Sequence, residues 1–128
     1  MTPPTKNTAA TAEALPAAVS AFEVLKTRTD FLRTARGRKA VMPGLVLQAR
    51  RRDGEGIRVG FTCSKKVGNA VKRNRAKRRL REAARAAIPT HGHPGWDYVL
   101  IGRAGQTIDR PFKDLTCDLI SALKQVHR

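Results

Sequence analysis

Ala76, Leu80, Ala83 and Ala87 fall on one side of a helix turned at about 100° per residue, with Asn74, Arg78, Arg81 and Arg85 opposite. So narrow and small-sided an apolar stripe allows its helix to pack closely against a sheet. Arg73, Arg75, Lys77 and Arg79 flank both edges, so cations cover most of the remaining circumference. From residue 65 to 85 there are ten Lys or Arg and one acid, Glu82, which is nine of the chain's formal charge of +16. A merely solvated helix face interleaves acids at helical spacing, and this one does not. The run therefore points to a polyanionic partner.

Val67 and Val71 fall near the basic side, which an uninterrupted helix from residue 67 does not explain. The stretch from Lys65 to Asn69 is expected to be a loop or an altered first turn, with Gly68 supplying backbone freedom and Asn69 a cap. Pro89 and the following THGHPG segment are expected to end the helix.

Upstream, Thr27 with Asp30 three residues on reads as a capped helix start, Phe31 and Leu32 as its apolar anchors, and Gly37 as its stop. A strand is expected over 44–50, a turn over RRDGEG, and a second strand over 57–63. The second strand alternates cleanly, with Ile57, Val59, Phe61 and Cys63 on one face and Arg58, Gly60 and Thr62 on the other. The first face is core, and the second is left open to solvent or to a ligand. A third strand is expected over 97–103. A last helix follows from about Pro111, capped by Asp109 or Arg110, with Phe112, Leu115, Leu119, Leu123 and Val126 facing the core.

The chain's 128 residues suit one domain. Residues 1–26 read as a disordered tail rich in Ala, Thr and Pro, and 27–128 as the folded domain. Two distant cysteines, Cys63 and Cys117, fit free thiols in a reducing cytoplasm and are expected to act as small hydrophobes. No apolar stretch approaches the ~20 residues of a membrane span. With one Trp, one Tyr and four Phe, phosphate contacts rather than stacking should supply most of the affinity for nucleic acid. His91 and His93 lack a companion Cys or carboxylate cluster for a metal. No acid pair suits two-metal phosphodiester chemistry, and there is no glycine-rich phosphate loop. The residues read as those of a binding protein.

One ordered run is more specific than its charge. Arg58-Val59-Gly60-Phe61 is followed by Ser64-Lys65-Lys66-Val67-Gly68-Asn69-Ala70-Val71-Lys72-Arg73-Asn74-Arg75-Ala76-Lys77-Arg78, and this order resembles the signature of the bacterial ribonuclease P protein subunit. The likeness extends from about Thr27 to Val126. It implies an α+β fold: a single two-layer α/β sandwich, ribosomal-protein-like, with a central, mostly antiparallel sheet and a left-handed βαβ crossover. That hand runs against the usual right-handed rule.

The resemblance further implies that Lys65, Lys66, Asn69, Arg73, Asn74, Arg75, Lys77, Arg78 and Arg81 face the catalytic RNA. A separate cleft that includes Phe31, Val46, Gln48 and Thr62 would hold the single-stranded 5′ leader of precursor tRNA. Ala35 and Gln48 stand where the family carries aromatics, so stacking on leader bases should be weaker. Mg²⁺ would be held by the RNA partner, in a complex of one protein to one RNA, and the RNA would cut the precursor. Two rival readings are a ribosomal or other structural RNA-binding protein, and a nuclease with an active site of its own.

Overall fold

A computed structural model describes residues 22–127 apart from 53 and 55. In chain order the elements are β1 (Glu23–Val24), α1 (Arg28–Ala35), β2 (Arg38–Val41), β3 (Leu45–Arg51), β4 (Arg58–Cys63), a 3-10 turn (Lys65–Val67), α2 (Ala70–His91), β5 (Trp96–Gly102), α3 (Gln106–Asp109) and α4 (Phe112–Val126). The strands form one sheet in the order β1-β4-β5-β3-β2. Its antiparallel ladders, β3 with β5 and β2 with β3, carry seven and four registered pairs. The parallel ladders, β4 with β5 and β1 with β4, carry six and two. Since β4 and β5 run parallel side by side, the chain between them, the 3-10 turn and α2, forms a βαβ crossover.

The core lies between one sheet face and the helix pair α2 and α4. Ala40, Leu45, Leu47, Ala49, Val59, Phe61, Tyr98 and Leu100 meet Leu80, Ala83, Ala84, Ala87 and Ile88 of α2 and Leu115, Leu119, Ala122, Leu123 and Val126 of α4. The small side chains of α2 let its axis approach the sheet, as the narrow stripe allows. Helix α4 packs on β2 and β3, α2 on β4 and β5, and the two helices on each other. On the opposite face α1 covers part of β3 and β5.

Several expectations change. Glu23 and Val24, placed by composition in the tail, form β1 and pair with Arg58 and Val59, and Leu25 beyond them is buried. The described fold thus starts earlier than residue 27, while residues 1–21 of the expected tail lie outside the described residues. Pro89 does not end α2, which continues to His91 and is capped at Gly92 through a hydrogen bond from its N–H to the Ile88 carbonyl. Pro89 faces solvent, so the Arg85 carbonyl deprived of an amide partner lies where water can satisfy it. Phe112, expected in the core, is 43% exposed in the first turn of α4, ahead of Leu115, where burial starts. Cys63 is only half-buried and Cys117 is exposed, so neither is the core hydrophobe that its type suggests.

Candidate nucleic-acid interface

The start of α2 is built by three local devices. Ser64 caps the 3-10 turn by accepting the Lys66 N–H at 3.1 Å. Gly68 then takes φ 136°, a conformation side-chain-bearing residues avoid, and breaks the helical phase. Asn69 starts α2 by accepting the Lys72 N–H at 3.0 Å on its side-chain oxygen. This break buries Val67 while leaving Val71 76% exposed among the cations. The altered first turn expected from the two valines is present.

Lys65, Lys66, Asn69, Asn74, Arg75, Arg78 and Arg81 are exposed, and Arg73 and Lys77 are half-buried. Not all are equally available to a ligand. Asn69 is engaged as the cap, and the Arg81 guanidinium lies 5.4 Å from the centroid of the Phe61 ring. Arg79, in the same run, is structural: its Nε donates to the Thr107 carbonyl at 2.9 Å, and Nη2 donates to the Arg110 carbonyl. The single acid of the run, Glu82, pairs with Arg85 at 2.7 Å. Lys72, exposed beside Asn69, joins the same surface; it lies within the basic run and the signature but was not among the residues expected to face RNA.

The second site follows from strand register, because residues paired across strands point to the same side of a sheet. Val46 pairs with Ile101, Gln48 with Val99, and Thr62 with Ile101 on its other side. Lys39 and Val41 pair with Gln48 and Val46. Val46, Gln48 and Thr62 thus share one face, the one covered in part by α1. Helix α1 is set by Thr27, whose hydroxyl accepts the Asp30 N–H at 3.2 Å and donates to Asp30 Oδ2 at 2.8 Å. The hydroxyl bond and nearby arginines hold the Asp30 carboxyl below the usual carboxylate range. Helix α1 carries Phe31 over Gly60.

Between α1 and the sheet runs a groove of about 460 Å³ lined by Lys26, Arg28, Phe31, Leu32, Gln48, Phe61, Thr62 and Val99. Of the four expected cleft residues, Phe31, Gln48 and Thr62 line it, whereas Val46 shares the face without lining the groove. Lys26, Arg28, Leu32 and Val99 were not foreseen, nor was Phe61, which was expected only on the core face. Beside it lies a smaller cleft of about 280 Å³ formed by Thr62, Cys63, Ala70, Arg73, Asn74 and Lys77. Burial pushes the Cys63 thiol up, against the smaller opposing pull of Lys77 and Arg73. Thr62 lines both clefts, so the groove and the basic helix, expected as separate surfaces, adjoin at that residue. Among the described residues no three His, Cys, Asp or Glu side chains converge as metal ligands. No helix there is long and apolar enough to cross a membrane.

Comparison with known proteins matches this architecture. The family model for ribonuclease P covers residues 19–127. The ribonuclease P protein component of Ruegeria pomeroyi is 60% identical over 113 residues, spanning 86% of this chain and 90% of that protein. That of Paramagnetospirillum magneticum is 54% identical over 108 residues, 80% of each. The solved RNase P protein of Thermotoga maritima superposes with a TM-score of 0.67 at 29% identity, covering 81% of this chain and 97% of that one. The Staphylococcus aureus RNase P protein gives 0.66 at 28%, covering 80% and 93%. With the matched region running from before β1 to the end of α4, and with relatives this similar over most of their length, the chain belongs to the ribonuclease P protein family.

Proposed function

We propose that this chain is the RNA-binding protein subunit of ribonuclease P, using α2 and the preceding turn to bind the catalytic RNA and the groove beside α1 to hold the 5′ leader of precursor tRNA. The observation that carries this reading is the groove itself. It is open, apolar at Phe31, Leu32 and Val99, cationic at Lys26 and Arg28, and continuous at Thr62 with a dense basic surface. A single strand needs a stacking surface beside a cationic track, and this groove has both. A folded RNA needs phosphate contacts, which Lys65, Lys66, Arg73, Arg75, Lys77, Arg78 and Arg81 supply.

In this mechanism the chain performs no bond cleavage. Mg²⁺ would be held by the RNA partner rather than by this chain, and would supply the activated water for a cut that leaves a 5′ phosphate on mature tRNA. The cations of α2 screen the repulsion between two polyanions, and the groove adds affinity that depends on a leader being present. Both effects lower the Mg²⁺ concentration the RNA needs. Gln48 presents an amide where an aromatic ring would stack, so leader binding here draws more on Lys26, Arg28 and Phe31. A cytoplasmic complex of one protein to one RNA completes the reading.

Capture of the tagged chain from its own cells followed by RNA sequencing tests the partner. One dominant catalytic RNA is expected; predominance of ribosomal RNA would instead make this a structural ribosomal protein. Purified chain freed of RNA should leave precursor tRNA intact. Cleavage by the protein alone would place an active site on it.

A further inference from the structure

Arg58 sits on β4 beneath α1 and holds two carboxylates at once. Its Nε and Nη2 donate to Oδ1 and Oδ2 of Asp97 at 2.8 and 2.7 Å, the bidentate fork that arginine favours. Its remaining nitrogen, Nη1, donates to Asp30 Oδ2 at 3.4 Å. Asp97, on β5, is fully buried and has a second cation in Arg52 at 3.3 Å. Asp30 belongs to the first turn of α1, and the next residue along is Phe31. The strong limb therefore lies inside the sheet, while the long limb, between side chains 27% and 19% exposed, reaches the helix that forms one wall of the groove.

We propose that the Arg58–Asp30 contact positions α1 on the sheet and thereby sets the width of the leader groove between Phe31 and the strand residues Gln48 and Thr62, making Arg58 and Asp30 positioning residues for leader recognition. This rests on the leader reading given above. Two geometric features support it. The Phe31 ring is already in close contact with Gly60, so a small displacement of α1 moves the stacking surface directly. Moreover, α1 has eight residues and buries only Thr34 completely, so apolar packing alone anchors it weakly. The carboxylate tether supplies what burial does not. A cleft of about 510 Å³ lined by Lys26, Asp30 and Arg58 opens this contact to solvent and adjoins the leader groove through Lys26.

The test is leader discrimination by the reconstituted holoenzyme: the ratio of Kd for mature tRNA to Kd for precursor carrying a leader of several nucleotides. Asp30→Asn removes the charge on the long limb, retains an oxygen for Thr27, and leaves the Arg58–Asp97 pair intact. Discrimination is expected to fall about two- to fivefold, the range of a partly exposed ion pair. Affinity for the catalytic RNA and for mature tRNA should hold. Asp30→Glu, which keeps the charge, should retain most of the discrimination, and Arg58→Lys, which can no longer serve both carboxylates, should lower it. Phe31→Ala, measured alongside, separates the two ideas. If Phe31→Ala abolishes discrimination while Asp30→Asn and Arg58→Lys leave it intact, the positioning role is wrong and the leader groove stands. If Phe31→Ala has no effect either, the leader reading fails and takes the inference with it.

Discussion

The Phe31 ring lies so close to Gly60 that a Cβ placed on the glycine would sit 2.6 Å from Phe31 Cε1. This contact seats α1 on β4, with Gly60 buried directly beneath the ring that forms one wall of the groove. Gly60→Ala should displace the ring or strain β4, lowering Tm and weakening precursor binding. In a Phe31→Ala background the clash with the ring is gone and only the Leu25 Cβ, at 3.2 Å, remains close, so the cost of the added methyl should shrink. A double-mutant cycle on thermal stability should show a coupling of about 0.5 kcal/mol or more. Strict additivity would mean the two residues do not touch in solution.

For the basic surface, Arg73, Arg75, Arg78 and Arg81 are proposed to meet phosphates of the catalytic RNA. Each Arg→Ala change should weaken assembly and reduce the slope of log K against log salt by about one unit. Arg81 also covers the Phe61 ring, so its replacement should cost some stability as well. Four unchanged slopes would remove the RNA from this helix.

A pH dependence is built in at the opposite end of the fold. The His127 ring stacks on His93 at 3.6 Å and meets Trp96 edge-on, and its Nε2 is 2.5 Å from the Tyr98 hydroxyl, which also accepts the His93 N–H. Burial, then His93 and Arg38, push the His127 pKa down to about 4. A depressed histidine favors the neutral form in the folded state. Its stabilization is therefore complete above about pH 6.5, the unfolded value, and is lost progressively as pH falls toward 4. The drop in Tm between pH 6.5 and 4 should be shallower in His127→Gln than in the parent chain. Parallel curves would show that His127 titrates normally.

The thiols give a contrast in reactivity. Cys117 is exposed on α4, whereas Cys63 is half-buried with its thiol pushed up by burial and its Sγ 3.6 Å from the Arg73 carbonyl. At neutral pH an alkylating reagent should modify Cys117 well before Cys63. The double replacement Cys63→Ala, Cys117→Ala should retain processing. Loss of processing by a folded double mutant would reveal a functional thiol.

What the sequence made legible was set by the strength of each local signal. The alternation from Ile57 to Cys63 identified β4 and its two faces, and the position of Val67 and Val71 identified the broken first turn of α2. By contrast, β2 has one inward residue, Ala40, and β1 has only two residues, both too short for a period to register. The apolar run of β5, Tyr98 to Ile101, shows no alternation because α1 covers much of its second face, so Val99 could not be assigned to the groove. Lys26 and Arg28 were invisible for a different reason. Their place at the groove depends on where α1 docks, which the Arg58 bridge and Gly60 determine over long range. Resemblance to the family supplied Phe31, Gln48 and Thr62, yet it could not reveal that Thr62 joins the two clefts.

Reconstitution with the catalytic RNA at a low Mg²⁺ concentration, measuring Kd for precursor and for mature tRNA with and without this chain, tests directly whether the protein confers leader-dependent binding. The chain should tighten precursor binding and restore cleavage that the RNA alone performs poorly, while leaving mature tRNA binding nearly unchanged. Phe31→Ala should lose about fivefold or more of the gain on precursor, the scale of one stacked base. Equal tightening of precursor and mature tRNA, unaffected by Phe31→Ala, would contradict the account.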